Sequence, residues 1–104
     1  MNATKRCKEK FRSAIYCLAV REGDVRERLL PAYRYLNMLT DTEIPEAYRN
    51  EWRSILEACT RYESDKDADG TVYLSAVEHT MKRIKNSTGR RIAERIFRLA
   101  CELD

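Results

Sequence analysis

Residues 45–62, Pro-Glu-Ala-Tyr-Arg-Asn-Glu-Trp-Arg-Ser-Ile-Leu-Glu-Ala-Cys-Thr-Arg-Tyr, leave this chain few folds to choose from. At roughly 100° per residue, Tyr48, Trp52, Ile55, Leu56, Cys59 and Tyr62 fall within an arc of about 120°, the stripe of a helix that faces a core. Glu46, Arg49, Asn50, Arg53 and Glu57 take the opposite side. Pro45 suits a first helical position, where its missing N–H has no partner to lose. The only Trp lies mid-stripe, so this helix is expected to carry the largest apolar surface and to organise the fold.

Three Gly and two Pro in 104 residues, with 36% charged side chains, leave too few turn residues for a β-sandwich. The length suits one domain with a modest core. Helical spacing recurs along the chain. A first helix over about 4–21 buries Cys7, Phe11, Ala14, Ile15 and Leu18, with Asn2 or Thr4 as N-cap and Gly23 as stop. Asp24 and Glu27 form a capping-box pattern, and Leu29, Ala32, Tyr33, Leu36 and Leu39 follow. Pro31 inside that run costs about 3 kcal/mol or forces a kink, so a short turn at 25–30 and a main helix at 31–39 are expected, bent if continuous. Ile44 is placed to fold back over Tyr48 as a staple. Glu63–Gly70 breaks the pattern, and spacing resumes from Thr71 through Val72 or Tyr73, Ala76, Val77, Met81 and Ile84. Asn86–Gly89 is a second break with Ser87 or Thr88 as cap, ahead of a last helix at about 89–103 that buries Ile92, Ile96, Leu99, Ala100 and Leu103. The fold class expected is all-α: a single-domain antiparallel bundle of four to five helices over residues 1–104, the second kinked or broken at Pro31.

No apolar run approaches the ~18 residues that cross a bilayer, and the N-terminus leads into no secretory h-region. A soluble, cytoplasmic protein with reduced cysteines is the expectation. Cys17, Cys59 and Cys101 sit at apolar helical positions and read as small buried hydrophobes. Cys7, between Arg6 and Lys8, reads as a frayed terminal thiol. No C-x-x-C occurs, the single His79 has no Cys nearby, and no cofactor is implied.

Charge is segregated. Residues 1–23 hold six Lys/Arg against two Glu, residues 41–70 four against nine acids, and residues 71–104 seven against four. A basic–acidic–basic order bears on partners rather than on fold.

Asp65-Lys66-Asp67-Ala68-Asp69-Gly70-Thr71-Val72 resembles the first eight positions of an EF-hand calcium loop: Asp65, Asp67 and Asp69 at positions 1, 3 and 5, Gly70 at 6, an apolar residue at 8. Position 12, which needs a bidentate Glu, is Ala76, and Glu78 comes two residues late. Ser64 replaces the aromatic anchor of the entering helix. The loop reads as a decoy, with acids ahead of a helix and Gly70 making a turn.

Lys82, Arg83, Lys85, Arg90 and Arg91 place five cations in ten residues across a helix–turn–helix-like joint, a candidate site for a polyanion or an acidic partner. The following helix has no Asn or Gln on its reading face, so any nucleic-acid contact would be with phosphates. Catalysis finds no support: His79 and Glu78 are adjacent on one helix and do not face each other, and no phosphate loop or nucleophile elbow is present. Tyr33 and Tyr35 lie two apart in one helix, cannot both face one core, and are candidate interface aromatics. The reading is a non-catalytic interaction module, an adaptor, accessory subunit or inhibitor of the kind common on bacterial and phage-type mobile elements. Its expected partner is a protein or a second copy, without membrane or small-molecule substrate. The alternative is a nucleic-acid-binding domain using residues 82–98.

Overall fold

The protein is described by a computed structural model over residues 3–104, the side chains of Asp65, Val72 and Tyr73 excepted. The Asn2 cap and the choice between Val72 and Tyr73 as an inward residue lie outside the described residues. Among these, five helices form: α1 Lys5–Val20, α2 Val25–Leu36, α3 Glu46–Cys59, α4 Ala76–Arg83 and α5 Asn86–Leu103. A 3-10 turn at Asp41–Glu43 precedes α3. A short antiparallel ribbon, β1 Asp65–Lys66 and β2 Val72–Leu74, precedes α4. The all-α single-domain bundle expected from spacing is what forms.

α1 starts where Thr4 accepts the Cys7 N–H at 3.0 Å. Its partner α2 starts where Asp24 accepts the N–H groups of Arg26 and Glu27, satisfying two of the orphan donors of the first turn. Gly23 links the two with φ +98°, a conformation that favours glycine. The pair is antiparallel: Arg6 near the start of α1 donates to the Met38 carbonyl beyond the end of α2, and Arg28 near the start of α2 donates to the Leu18 carbonyl.

α2 runs unbroken through Pro31, where a separate turn at 25–30 was expected, and it ends at Leu36 rather than 39. Burial decides this. Leu29, Ala32 and Leu36, on both sides of the proline, are fully buried. Two buried leucines at ~1.5–3 kcal/mol each outweigh the ~3 kcal/mol that proline costs a helix interior. α2, and not α3, is the hub, because it packs against each of the other four helices.

Ile44 is fully buried, and Pro45 stands just before α3 rather than at its first position. Trp52 is 5% exposed and donates from Nε1 to the Leu36 carbonyl at 3.1 Å, tying α3 to the end of α2.

The helix expected from Thr71 begins instead at Ala76. Asp67 redirects the chain: its side chain accepts the N–H groups of Asp69 and Thr71 at 3.0 and 2.9 Å, and Gly70 adopts φ +81°. The chain therefore returns as a ribbon. Ser75 and Glu78 then make the reciprocal capping box that opens α4.

The second break also dissolves. Ile84–Lys85 alone separates α4 from α5, so Ser87 and Thr88 lie inside the first turn instead of capping it. Gly89 is buried within α5. A Cβ there would stand 3.1 Å from Val25 Cγ1 and 3.3 Å from Arg26 Cγ, so this glycine is a close contact between α5 and α2 rather than part of a break.

Candidate interaction surfaces

The sites singled out in the sequence have different fates. In the acidic loop, Asp67 holds the ribbon turn and Asp69 is exposed, while the side chain of Asp65 lies outside the described residues. Glu78 is held by the capping box, where hydrogen bonds from Ser75 keep its carboxyl below the usual range. Among the described residues no group of three or more His, Cys, Asp or Glu is placed to hold a metal.

Among the described side chains of the acidic middle segment, Asp41, Glu43, Glu51 and Asp67 make internal ties. Glu43 accepts from Arg6 at 2.7 and 2.8 Å and from the Thr40 N–H and hydroxyl, fastening the 3-10 turn to α1. The Arg6 guanidinium is the main reason its carboxyl titrates below the ordinary range. Asp41 pairs with Arg53 and Glu51 with Arg95. Arg49 donates from Nε to the carbonyls of Asp41 and Ile44.

Lys82, Arg83, Lys85, Arg90 and Arg91 are all exposed, and none makes an ion pair among the described residues. They fan out around the joint. Arg83 stacks on the Tyr62 ring at 4.6 Å. Lys82 borders a cleft with Glu27 and Glu78, and Arg90 borders another with Leu18 and Arg28, and Asp24 lines both. Arg26 donates to the Ile84 carbonyl at 3.0 Å and to Asp24, whose carboxyl that bond lowers, so the first turn of α2 is wedged against the joint.

Two groups on α4 dock the preceding loop. Thr80 is fully buried, accepts the Tyr62 N–H at 2.9 Å and donates back to the Tyr62 carbonyl at 3.4 Å. Next to it, His79 donates from Nδ1 to the Glu63 carbonyl at 2.6 Å, its ring tilted against Tyr62. His79 is thus half-buried and engaged with the loop.

Tyr33 and Tyr35 are both half-buried against the core. α2 has neighbours on more than one side, which covers part of each ring, and burial pushes the Tyr33 hydroxyl pKa up; among the described residues the tyrosine that does reach the surface is Tyr16. Among the described residues, the large apolar groups that do reach solvent are Tyr16 (63%), Val20 (57%), Met38 (53%) and Phe97 (54%). Three of these four lie on α1 and α5.

Those two helices run antiparallel, with Arg12 3.5 Å from Asp104 at one end and Leu18 sharing a cleft with Arg90 and Ala93 at the other. Between them lies an apolar groove of about 230 Å³. Phe11, Ile15, Phe97, Ala100 and Cys101 form its walls, and Lys8, Arg12 and Asp104 its rim. On α1 each four-residue step turns about 40° further round the helix, so the exposed Tyr16 and Val20 move progressively away from the face on which Lys8 and Arg12 rim the groove.

The cysteines exchange places with expectation. Cys7 is fully buried, and burial raises its pKa; Cys101 is exposed in the groove. Cys59 is fully buried and its thiol is pushed up to about 12. The signal for Phe97 was present: it directly follows Ile96, about 100° off the buried stripe of α5. Comparison of the chain with protein families, with curated proteins and with solved structures returns no match.

Proposed function

We propose that this chain is a non-catalytic interaction module that docks a protein partner on the α1–α5 face. The observation that carries this reading is an apolar groove between α1 and α5 with the exposed Phe97 ring in its wall. Single exposed apolar residues are ordinary, whereas an exposed ring in the wall of an apolar groove rimmed by charge has the composition of a docking surface. Aromatic rings there supply contact area at low entropic cost. The test is a pull-down from native lysate with nuclease present, comparing wild type with Phe97→Asp. A stoichiometric protein retained by wild type and lost with the variant supports the reading, and equal recovery by both refutes it.

A second reading uses the α4–α5 joint as a phosphate-binding surface. It is favoured by five exposed cations and by a first turn of α5 that has no acidic residue and no side-chain cap. The interleaved acids Asp24, Glu27 and Glu78 weigh against a continuous polyanion track. Arg90→Glu with Arg91→Glu should abolish salt-sensitive retention of DNA or RNA. Retention unchanged by the pair, or absent in wild type, removes this reading.

A further inference from the structure

The cleft where the end of α1 meets the first turns of α2 and α5 gathers two arginines from different helices, Arg28 of α2 and Arg90 of α5. Leu18, Val25 and Ala93 give it an apolar lining beside them. Its volume of about 540 Å³ lies within the range of small-molecule sites, about 300–1,000 Å³.

Neither arginine makes an ion pair among the described residues. Arg28 donates from Nη1 to the Leu18 carbonyl, a neutral acceptor, and its Nε is buried with no partner at all. A buried donor left unpaired costs about 1–3 kcal/mol, and more when it belongs to a charged group. An acceptor seated against this guanidinium offsets that cost. Asp24 is the carboxylate on the lining, and it is already answered. Its Oδ1 accepts the N–H groups of Arg26 and Glu27, and its Oδ2 accepts from the Arg26 guanidinium. The lining therefore keeps two positive charges, on α2 and on α5, with no counter-charge of their own. Asn86 and Ser87, which open α5, also line the cleft, and that first turn has no acidic residue and no side-chain cap. Its free N–H groups favour a ligand of the same sign, reinforcing the two guanidiniums.

We infer that this cleft binds a phosphate monoester carried on a small apolar body, an aryl or alkyl phosphate. Two guanidiniums reaching from separate helices match a dianion with three free oxygens better than a planar carboxylate. The space beyond the phosphate, against Leu18, Val25 and Ala93, takes the apolar body. The site does not draw on the α1–α5 docking reading. It also differs from a phosphate track over the α4–α5 joint, because it includes Arg28 and leaves out Arg91. That residue stands about 100° round α5 from Arg90 and does not line the cleft.

The probe is phenyl phosphate, titrated into the full-length protein and followed by the amide and arginine Nε–H signals in nitrogen–proton correlation spectra. Saturable shifts are expected at the Ser87 and Ala93 amides and at the Arg28 Nε–H. Arg90→Gln should weaken binding about tenfold or more, the loss of a charge-assisted hydrogen bond, while Arg91→Gln leaves it within about twofold. Arg28→Gln should weaken it likewise. That variant also loses the bond to Leu18, so a thermal melt checks its fold, and Arg90→Gln, at an exposed position, carries the test if it unfolds. Inorganic phosphate should bind more weakly than phenyl phosphate, and benzyl alcohol should cause no saturable shift. Equal weakening by Arg90→Gln and Arg91→Gln identifies a diffuse basic surface, which overturns this site and leaves the second functional reading standing. Inorganic phosphate binding as tightly as phenyl phosphate overturns the ligand class. No saturable shift in the cleft overturns the inference, whatever Phe97→Asp does in the pull-down.

Discussion

Replacing Thr80 with Val removes the hydroxyl whose two bonds to Tyr62 dock the preceding loop on α4. The two side chains have nearly the same shape, so packing around this fully buried position is preserved and only the hydroxyl is lost. Its loss strands the Tyr62 N–H, which Thr80 accepts at 2.9 Å. A donor left without a partner costs about 1–3 kcal/mol. Tyr62 is half-buried, so water can partly replace the lost partner, and the expected cost lies in the lower part of that range, about 1–2 kcal/mol. At roughly 4–8 °C per kcal/mol for a domain of this size, the melting temperature should fall by about 4–16 °C. Thermal unfolding followed by circular dichroism reads the shift. Hydrogen exchange at the Tyr62 amide should accelerate beyond the global change, since the bond lost is its own. A melting temperature within about 2 °C of wild type, with that amide still protected, would show that Thr80 does not hold the loop.

Other perturbations test the remaining joints. Gly89→Leu should destabilise by about 1–3 kcal/mol in urea unfolding, because even a Cβ would stand 3.1 Å from Val25 Cγ1; an unchanged midpoint contradicts the close approach of α5 to α2. Glu43→Gln should flatten the acid limb of stability. The Glu43 carboxyl is held below its ordinary 4.5, so its contribution is complete above that value in wild type and disappears as pH falls through the lower folded value. An acid limb as steep in the variant as in wild type counts against the Arg6–Glu43 tie. Alkylation of the native protein at pH 8 should modify Cys101 alone, with Cys7, Cys17 and Cys59 reacting only in denaturant. Mass spectrometry showing Cys59 labelled as fast as Cys101 would contradict a buried thiol whose pKa is pushed up to about 12.

Much of the bundle was legible because local signals and burial agree there. Thr4, Asp24 and the stripes of α1, α3 and α5 lie where capping and spacing put them. The separate turn at 25–30 and the break at 86–89 do not form, because propensity counts the cost of an interior proline or glycine but not the tertiary contact that offsets it. Val72-Tyr73-Leu74 was misread as helix because a short apolar run has no period of its own, and the Asp67 turn decides its direction. Of the candidate site, the cations at 82–91 were visible as composition. For Phe97 the signal was its place one residue after Ile96, off the buried stripe of α5; whether it or Tyr35 meets solvent depends on how many neighbours its helix acquires.

Helix content, the amphipathic stripes and the segregation of charge follow from residue order, since periodicity and capping are properties of neighbours a few positions apart. Which helix sits at the centre, which acids are spent on internal ties, and which thiol is exposed follow from contacts between residues such as Arg6 and Glu43, or Tyr62 and Thr80. The α1–α5 groove belongs with these. Phe11 and Ile15 come from one end of the chain and Phe97 and Cys101 from the other, and only the antiparallel packing of the first and last helices brings them to one face.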